Sequence, residues 1–315
     1  MSQVIAVIPV RNEASTIATI VRTARAYLPV IVVDDASTDD SAVQARRAGA
    51  RVLTLKQHRG KGQALRYGMA EALRCGATSV VTLDGDGQHD PHDIPRFLDA
   101  AQCWPGSVII GSRRESTEVM PRARFYAMQV ANFWISWLGQ CQVHDSQSGF
   151  RLYPIQLFST LPLKHGGFLF ESEVLMKAGQ AGWPLYELPI QALYPPAWHS
   201  QYRPMHDGLV LTAYLLYRGL RAWPAQGWRA CCGWRLREKA ARQCLWQRTR
   251  RAALATVGLP WLGLCALAYL CLGRLGATWL AWTIQHLYDP RLLAPAPTDP
   301  RGLHDHYRRK RWKLV

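Results

Sequence analysis

Residues 79–91 read SVVTLDGDGQHDP, and this stretch decides the fold class. Its first part is apolar and β-branched, which predicts a short buried strand over residues 80–83. Asp84 and Asp86 follow directly, so two carboxylates stand at the carboxyl end of that strand, pointing the same way if the strand continues. In an open α/β sheet, ligands bind at this edge.

The donors that follow the strand suit a divalent cation. Asp84, Asp86 and the amide of Gln88 offer hard oxygen atoms of the kind that Mg²⁺ or Mn²⁺ shares with phosphate oxygens. Gly85 and Gly87 let a diphosphate or another backbone approach closely. An ordinary Asp-Gly turn after a strand is the alternative, so this stretch by itself leaves both interpretations open.

Strand and helix patterns alternate on both sides of this stretch. Further strands are predicted over residues 4–10, 30–33, 52–55 and 108–113, and helices over 15–27 (with Ser15 as N-cap), 41–48 and from 58–64 to about 74. The alternation predicts an α/β fold with a mostly parallel, doubly wound sheet. Residues 187–190 indicate an edge strand because Pro189 lacks a donor. Residues 120–139 predict an aromatic helix, packed in the core or lying at a membrane interface.

Polar residues also follow the other predicted strands. Glu13 stands after the first, and Asp34 and Asp35 after the second, as acceptors for ribose hydroxyls or a base edge. Lys61 lies in a Gly-Lys-Gly turn that opens a helix, where amides and an ammonium can face a phosphate, although the spacing is not that of a P-loop. A helix N-cap role for the aspartates is the alternative. Together with Asp84, these residues indicate a nucleotide diphosphate across the sheet edge.

The charge balance points to an anionic partner. The chain carries 38 Lys and Arg against 22 Asp and Glu, a formal charge of +16. Basic residues cluster over 218–251, beside an apolar run over 252–273, as is typical of a cytoplasmic juxtamembrane segment facing an anionic membrane surface. A tilted span or a re-entrant hairpin fits this run, and a buried soluble helix is the alternative. No nucleic-acid-binding module is recognisable, so we expect no nucleic-acid partner.

Cysteine usage and the N-terminus favour a reducing compartment. None of the eight cysteines forms a C-x-x-C pair, which argues against a zinc site and a disulfide framework, and residues 1–10 lack the pattern of a signal peptide. We therefore expect the protein at the cytoplasmic face of a bacterial inner membrane, integral or tightly associated.

Five motifs, in order, carry a resemblance to a known family. They are IPVRNE at 8–13, VVDDAS at 32–37, GKGQA at 60–64, LDGDGQ at 83–88 and GSR at 111–113. In order and spacing, the sequence resembles the family 2 glycosyltransferases, whose fold is the nucleotide-sugar-binding GT-A type. SGFR at 148–151 and ELPI at 187–190 resemble the dolichol-phosphate mannose synthase branch, which includes polyprenyl-phosphate glycosyltransferases.

The resemblance implies roles for individual positions. The donor nucleotide sugar is assigned to Pro9, Arg11, Glu13, Asp34, Asp35, Lys61 and Asp84, the metal to Asp84, Asp86 and Gln88, and the acceptor to Arg151 and Arg203, with Arg113 as a catalytic cation. A hydroxyl acceptor needs a carboxylate base, for which Asp145, Glu171 and Glu173 are candidates, whereas an ionised lipid phosphate needs none. Residues 199–204, HSQYRP, depart from the branch's usual basic run, which leaves the acceptor open.

The resemblance covers roughly residues 3–207 and implies an activity, whereas the charged and apolar runs divide the rest of the chain. The expected parts are a GT-A domain over 1–207, a basic juxtamembrane helical segment over 208–251, an apolar transmembrane or re-entrant segment over 252–284 and a basic tail over 285–315. The expected activity is inverting transfer of one sugar from a nucleotide-diphosphate sugar to a lipid-linked acceptor. A sugar-nucleotide pyrophosphorylase would want a glycine-rich loop where residues 11–13 read RNE, and the Asp84/Asp86 pair argues against a non-catalytic scaffold.

Overall fold

The computed structural model describes residues 3–113, 122–167, 169–191, 193, 211, 213–215, 217 and 218. Arg203, nearly all of the predicted juxtamembrane segment, the apolar segment and the tail lie outside these residues. The predicted boundaries of those segments therefore stay predictions.

A mixed sheet forms the centre of the described domain. Its strands are β1 (Val4–Val10), β2 (Val30–Asp34), β3 (Arg51–Thr54), β4 (Ser79–Thr82), β5 (Val108–Ser112), β6 (Arg151–Pro154) and β7 (Leu185–Pro189), in the order β3-β2-β1-β4-β6-β5-β7. Strands β1 to β4 pair in parallel, as do β5 and β7, whereas β6 runs antiparallel to both of its neighbours. The mostly parallel sheet and the edge position of β7 confirm the predictions.

Helices cover both faces of the sheet. They are α1 (Ile17–Arg25), α2 (Ser41–Arg47), α3 (Lys61–Arg74), α4 (Ile94–Cys103), α5 (Arg122–Gly139), α6 (Gln156–Thr160) and α7 (Leu169–Gln180). Alternate residues of β1 point to opposite faces, with Ile5 and Val7 in one core with α3, α5 and α7, and Ala6 and Ile8 in another with α1, α2 and α4. Burial on both faces is why these strands read as continuous apolar runs.

Two local predictions were wrong. β4 ends at Thr82, one residue before the predicted end, and the chain turns at Gly85, so the strand does not continue through Asp84 and Asp86. The N-cap of α1 is Thr16 and not Ser15. The Thr16 hydroxyl donates a hydrogen bond of 2.6 Å to the carbonyl oxygen of Gly85, so the start of α1 fastens the loop that carries the two aspartates.

The aromatic helix α5 is a core element. Phe133, Trp134, Ile135 and Leu138 are buried in the same core as α3 and α7, which settles the open alternative in favour of packing for these side chains. Among the helices that the structure describes, none has both the length and the apolarity that a membrane crossing requires.

Candidate active site

The loops after β1 and β2 are joined at one rim of the sheet. The Asn12 side-chain oxygen accepts a hydrogen bond of 2.8 Å from the backbone of Thr38, and the Glu13 amide donates one of 2.7 Å to the Ser41 hydroxyl. A Cβ atom at Gly85 would lie 3.4 Å from the Pro9 carbonyl and 3.7 Å from Glu13 Cγ. The rim therefore brings the segment of Pro9, Arg11 and Glu13 against the loop of Asp84 and Asp86.

The two aspartates at the end of β2, Asp34 and Asp35, hold loops in place. Asp35 is 3% exposed, and its carboxylate accepts hydrogen bonds of 2.7 Å from the backbone amides of Arg59 and Gly60, with His58 Nδ1 at 2.8 Å. Asp34 is equally buried and accepts from the Ser37 amide at 3.2 Å. The sequence predicts that both contact the donor nucleotide sugar. In the structure, the Asp35 oxygens accept hydrogen bonds from the turn before Lys61.

Lys61 lies at the centre of the candidate site, between two carboxylates. Its Nζ atom is 2.6 Å from Asp84 Oδ1 and 3.1 Å from Glu171 Oε2, and all three side chains are less than a quarter exposed. Burial alone would lower the pKa of Lys61, but the two carboxylates raise it above the ordinary value. Burial would likewise raise the pKa of Asp84, yet the ammonium lowers it to about 2. Lys61 and Asp84 are therefore both charged at neutral pH.

Sequence reasoning missed a histidine that supports Asp84. The backbone amide of Asp84 donates to His89 Nδ1 at 3.2 Å, so the ring proton is on Nε2, and burial lowers the pKa of this histidine. His89 is 1% exposed and packs against Phe150, which stacks on Phe97 at 4.3 Å between ring centroids. Its position directly after the predicted metal motif is the only signal that the sequence offered.

Sequence reasoning also missed Gly149, which lies close to the same carboxylate. A Cβ atom at Gly149 would lie 2.6 Å from both Oδ atoms of Asp84, which is closer than Cβ atoms approach other heavy atoms in proteins. Gly149 belongs to the SGFR motif and immediately precedes Phe150. The absence of a side chain here is what lets the Asp84 carboxylate occupy its place.

Arg113 and Asp145 form a buried two-point ion pair. Arg113 Nε and one terminal nitrogen donate to the two Asp145 oxygens at 2.8 Å each, and the Arg113 amide adds a bond of 3.0 Å. Burial would raise the pKa of Asp145, but the guanidinium holds it below the ordinary value. A fully buried carboxylate with a lowered pKa does not fit the predicted role of general base.

Arg151 is also built into the fold. Its side chain is completely buried and donates hydrogen bonds to the carbonyl oxygens of Ser146, Ser148 and Glu171 and to the Tyr153 hydroxyl, at 2.6–3.0 Å. Through these hydrogen bonds the guanidinium links the loop before β6 to α7. The buried side chain therefore does not fit its predicted role of contacting the acceptor. Arg203, the other predicted acceptor residue, lies outside the described residues.

The donor set of the Asp84 loop fits a divalent cation shared with a ligand. Asp84 and Asp86 are partly exposed, and the buried Gln88 amide nitrogen, a donor suited to a phosphate oxygen of that ligand, has no hydrogen-bond partner among the described residues. Within that part of the chain, no three His, Cys, Asp or Glu side chains cluster closely enough to hold an ion by themselves. Mg²⁺ in nucleotide sites is commonly held by one or two carboxylates plus phosphate oxygens, which is what these residues offer.

Comparison with known proteins decides the family. The sequence model of glycosyl transferase family 2 matches residues 5–164, just over half of the chain. The chain belongs to glycosyl transferase family 2. This family membership identifies a transferase, in place of the pyrophosphorylase and scaffold alternatives.

The transferase is similar to two relatives that are named for different sugars. It is 27% identical to the polyprenol monophosphomannose synthase of Mycolicibacterium smegmatis over 199 residues, 58% of this chain and 75% of the relative. It is 27% identical to the UDP-N-acetylglucosamine–dolichyl-phosphate N-acetylglucosaminyltransferase of Methanococcus voltae over 212 residues, 60% of this chain and 84% of the relative.

The solved structure is glucosyl-3-phosphoglycerate synthase from Mycobacterium tuberculosis, in complex with Mn²⁺, UDP and phosphoglyceric acid. The match has a TM-score of 0.53 at 21% identity and covers 69% of this chain and 78% of the other. At this identity the match shows a shared fold, and it agrees with the predicted GT-A architecture.

Proposed function

We propose that this enzyme transfers one sugar from a nucleotide-diphosphate sugar to the phosphate of a polyprenyl phosphate, with inversion at the sugar carbon that is attacked. The two relatives described above are named for polyprenol and dolichyl phosphate acceptors, although they are named for different sugars. The proposal therefore commits to the acceptor class and leaves the sugar open.

The observation that carries the proposal is the state of the three candidate bases. Asp145 is paired with Arg113, and Glu171 with Lys61. Glu173 accepts from the backbone amides of residues 164 and 165 and pairs with Lys177 at 2.6 Å; burial would raise its pKa, but these bonds lower it to about 2. Each of the three pairs with a cationic side chain, whereas an ionised phosphate acceptor needs no base because it gives up no proton when it attacks.

The residues at the rim supply the rest of the reaction. Asp84, Asp86 and Gln88 would hold Mg²⁺ or Mn²⁺, which when bound offsets the negative charge that develops on the departing diphosphate. Lys61 binds diphosphate oxygens through its ammonium, at the start of a helix whose first amides also favour an anion. The Arg113 guanidinium adds positive potential, since its charge also lowers the pKa of Asp84. The His89 ring holds the Asp84 backbone amide, and Gly149 leaves room for the Asp84 carboxylate.

A lipid acceptor requires access to a bilayer. The basic residues over 218–251 and the apolar segment over 252–284 are suited to an anionic membrane surface and to attachment at its cytoplasmic face. These residues lie outside the described part of the chain, and their role belongs to the proposal.

Acceptor chemistry is the feature to test. The full-length enzyme in detergent is incubated with radiolabelled sugar nucleotides, Mn²⁺, and either undecaprenyl phosphate or undecaprenol, and the label in the lipid extract is counted. We expect transfer to the phosphate and none to the alcohol, with loss of transfer in EDTA and in Asp84→Asn. Transfer to the alcohol at a comparable rate would contradict the proposal, because it requires a base.

A further inference from the structure

We infer that Lys61 is an internal counter-ion of Asp84, which opposes binding of a divalent cation until a nucleoside diphosphate takes over the ammonium. The inference rests on the proposed function and deepens it, since it concerns the order in which the same site takes up its ligands. It assigns Lys61 a second role besides contact with the donor.

The geometry places Lys61 where it competes with a cation. Its Nζ atom is 2.6 Å from Asp84 Oδ1, one of the oxygens that the cation needs, and 3.1 Å from Glu171 Oε2. A cation that arrives alone therefore meets a carboxylate whose charge is already compensated, with a positive charge beside it. Asp84 is 22% exposed and Lys61 17%, so water screens this repulsion only in part.

The backbone under Lys61 is held in place. The Asp35 carboxylate accepts hydrogen bonds from the backbone amides of the two residues that precede Lys61. The helix is also closely packed, because a Cβ atom at Gly62 would lie 2.6 Å from Phe170 Cβ and 2.7 Å from the Gly167 carbonyl oxygen. Hydrogen bonds and close packing thus hold the helix start, and the flexible Lys61 side chain can leave Asp84 by rotation.

A diphosphate supplies the reason for that rotation. Its oxygens offer the ammonium a more highly charged partner, at the N-terminus of the same helix. Once the ammonium has moved to the diphosphate, both Asp84 oxygens become available to the cation, and the diphosphate completes the shell that Asp84, Asp86 and Gln88 leave open. The donor and the cation thus bind together, and the free enzyme retains little metal.

Two binding measurements on the purified full-length protein test the inference without any acceptor. Binding of Mn²⁺ in the absence of nucleotide is followed by the electron paramagnetic resonance signal of the free ion, and binding of UDP and of GDP without metal by calorimetry. The variants are Lys61→Met and Lys61→Gln, with Lys56→Met as a matched control on the loop after β3.

We expect both Lys61 variants to bind Mn²⁺ at least about tenfold more tightly than the parent, since one charge beside a carboxylate changes its proton affinity by about 10- to 1000-fold. We expect the same variants to bind the nucleoside diphosphate more weakly, and Lys56→Met to match the parent in both assays. The gain in Mn²⁺ affinity should disappear when Asp84→Asn is added.

Opposite signs in the two assays separate this role from a structural one, because a distorted site would lose affinity for both ligands. Unchanged or weaker Mn²⁺ binding in both Lys61 variants overturns the inference, even if the parent glycosylates undecaprenyl phosphate. Failure of that transfer in the parent, with tighter Mn²⁺ binding in the variants, overturns the acceptor assignment instead.

Discussion

Gly149→Ala should damage catalysis through a single added methyl group. The new Cβ would lie 2.6 Å from both Asp84 oxygens, whereas ordinary contacts begin at 3.4 Å. The difference requires the carboxylate to shift by about 0.8 Å, and a misplacement near 1 Å at a reacting centre costs about 100-fold in rate. We therefore expect kcat/KM to fall about 100-fold, equivalent to about 2.7 kcal/mol of activation free energy.

The assay is initial-rate transfer to undecaprenyl phosphate at saturating Mn²⁺, with thermal unfolding measured in parallel. Gly149 does not have a positive φ, so alanine suits the backbone, and overpacking should lower the free energy of unfolding by only about 1–3 kcal/mol. Gly166→Ala is the matched control, because its Cβ would have no heavy atom nearer than 3.5 Å. A folded Gly149→Ala enzyme with kcat/KM within threefold of the parent would refute the reasoning.

Two further predictions concern the supports of the site. His89→Phe removes the acceptor for the Asp84 amide and should lower kcat/KM about tenfold in steady-state kinetics. His89→Asn keeps an acceptor near the position of Nδ1 and should retain most of the rate. Equal losses in the two variants would contradict the role of His89 as acceptor for this amide. Asp145→Asn leaves the Arg113 guanidinium buried without its charged partner and should cost about 3–5 kcal/mol in urea unfolding at pH 7. Because the folded-state pKa of Asp145 lies below its unfolded value of about 3.9, this contribution is complete above that pH and is lost as the pH falls through the folded-state pKa. The difference in stability between parent and variant should therefore shrink in acid, and a constant difference would contradict the assigned cause.

The architecture was predictable because burial on both faces leaves a strong local signal. The apolar β-branched runs of β1, β2, β4 and β5 marked those strands, and the turn before Lys61 marked the start of α3. The direction of β6 was not predictable, because strand pairing between residues 82 and 151 depends on contacts that are distant in sequence. The sequence predicts the end of β4 one residue too late, because apolar Leu83 continues the strand pattern although pairing stops at Thr82.

The site was predictable at its centre and less so at its supports. Lys61 and Asp84 were identified as parts of one site, and they are in direct contact. What a sequence does not show is whether a charged side chain faces the ligand or the protein. Arg151 gives its hydrogen bonds to carbonyl oxygens, and Asp145 pairs with Arg113 across 32 positions of sequence. Such pairings exist only once the chain has folded.

The reversed direction of β6 has a consequence for how this enzyme can diverge. Because that strand runs against its neighbours, the loop entering it reaches the same rim that the parallel strands leave. The rim around Asp84 is thus built from one segment that ends before residue 90 and another that begins at residue 145. Under the proposed function, point mutations in the later segment would change the surface that faces the sugar, while the earlier segment would keep its contacts with the nucleotide.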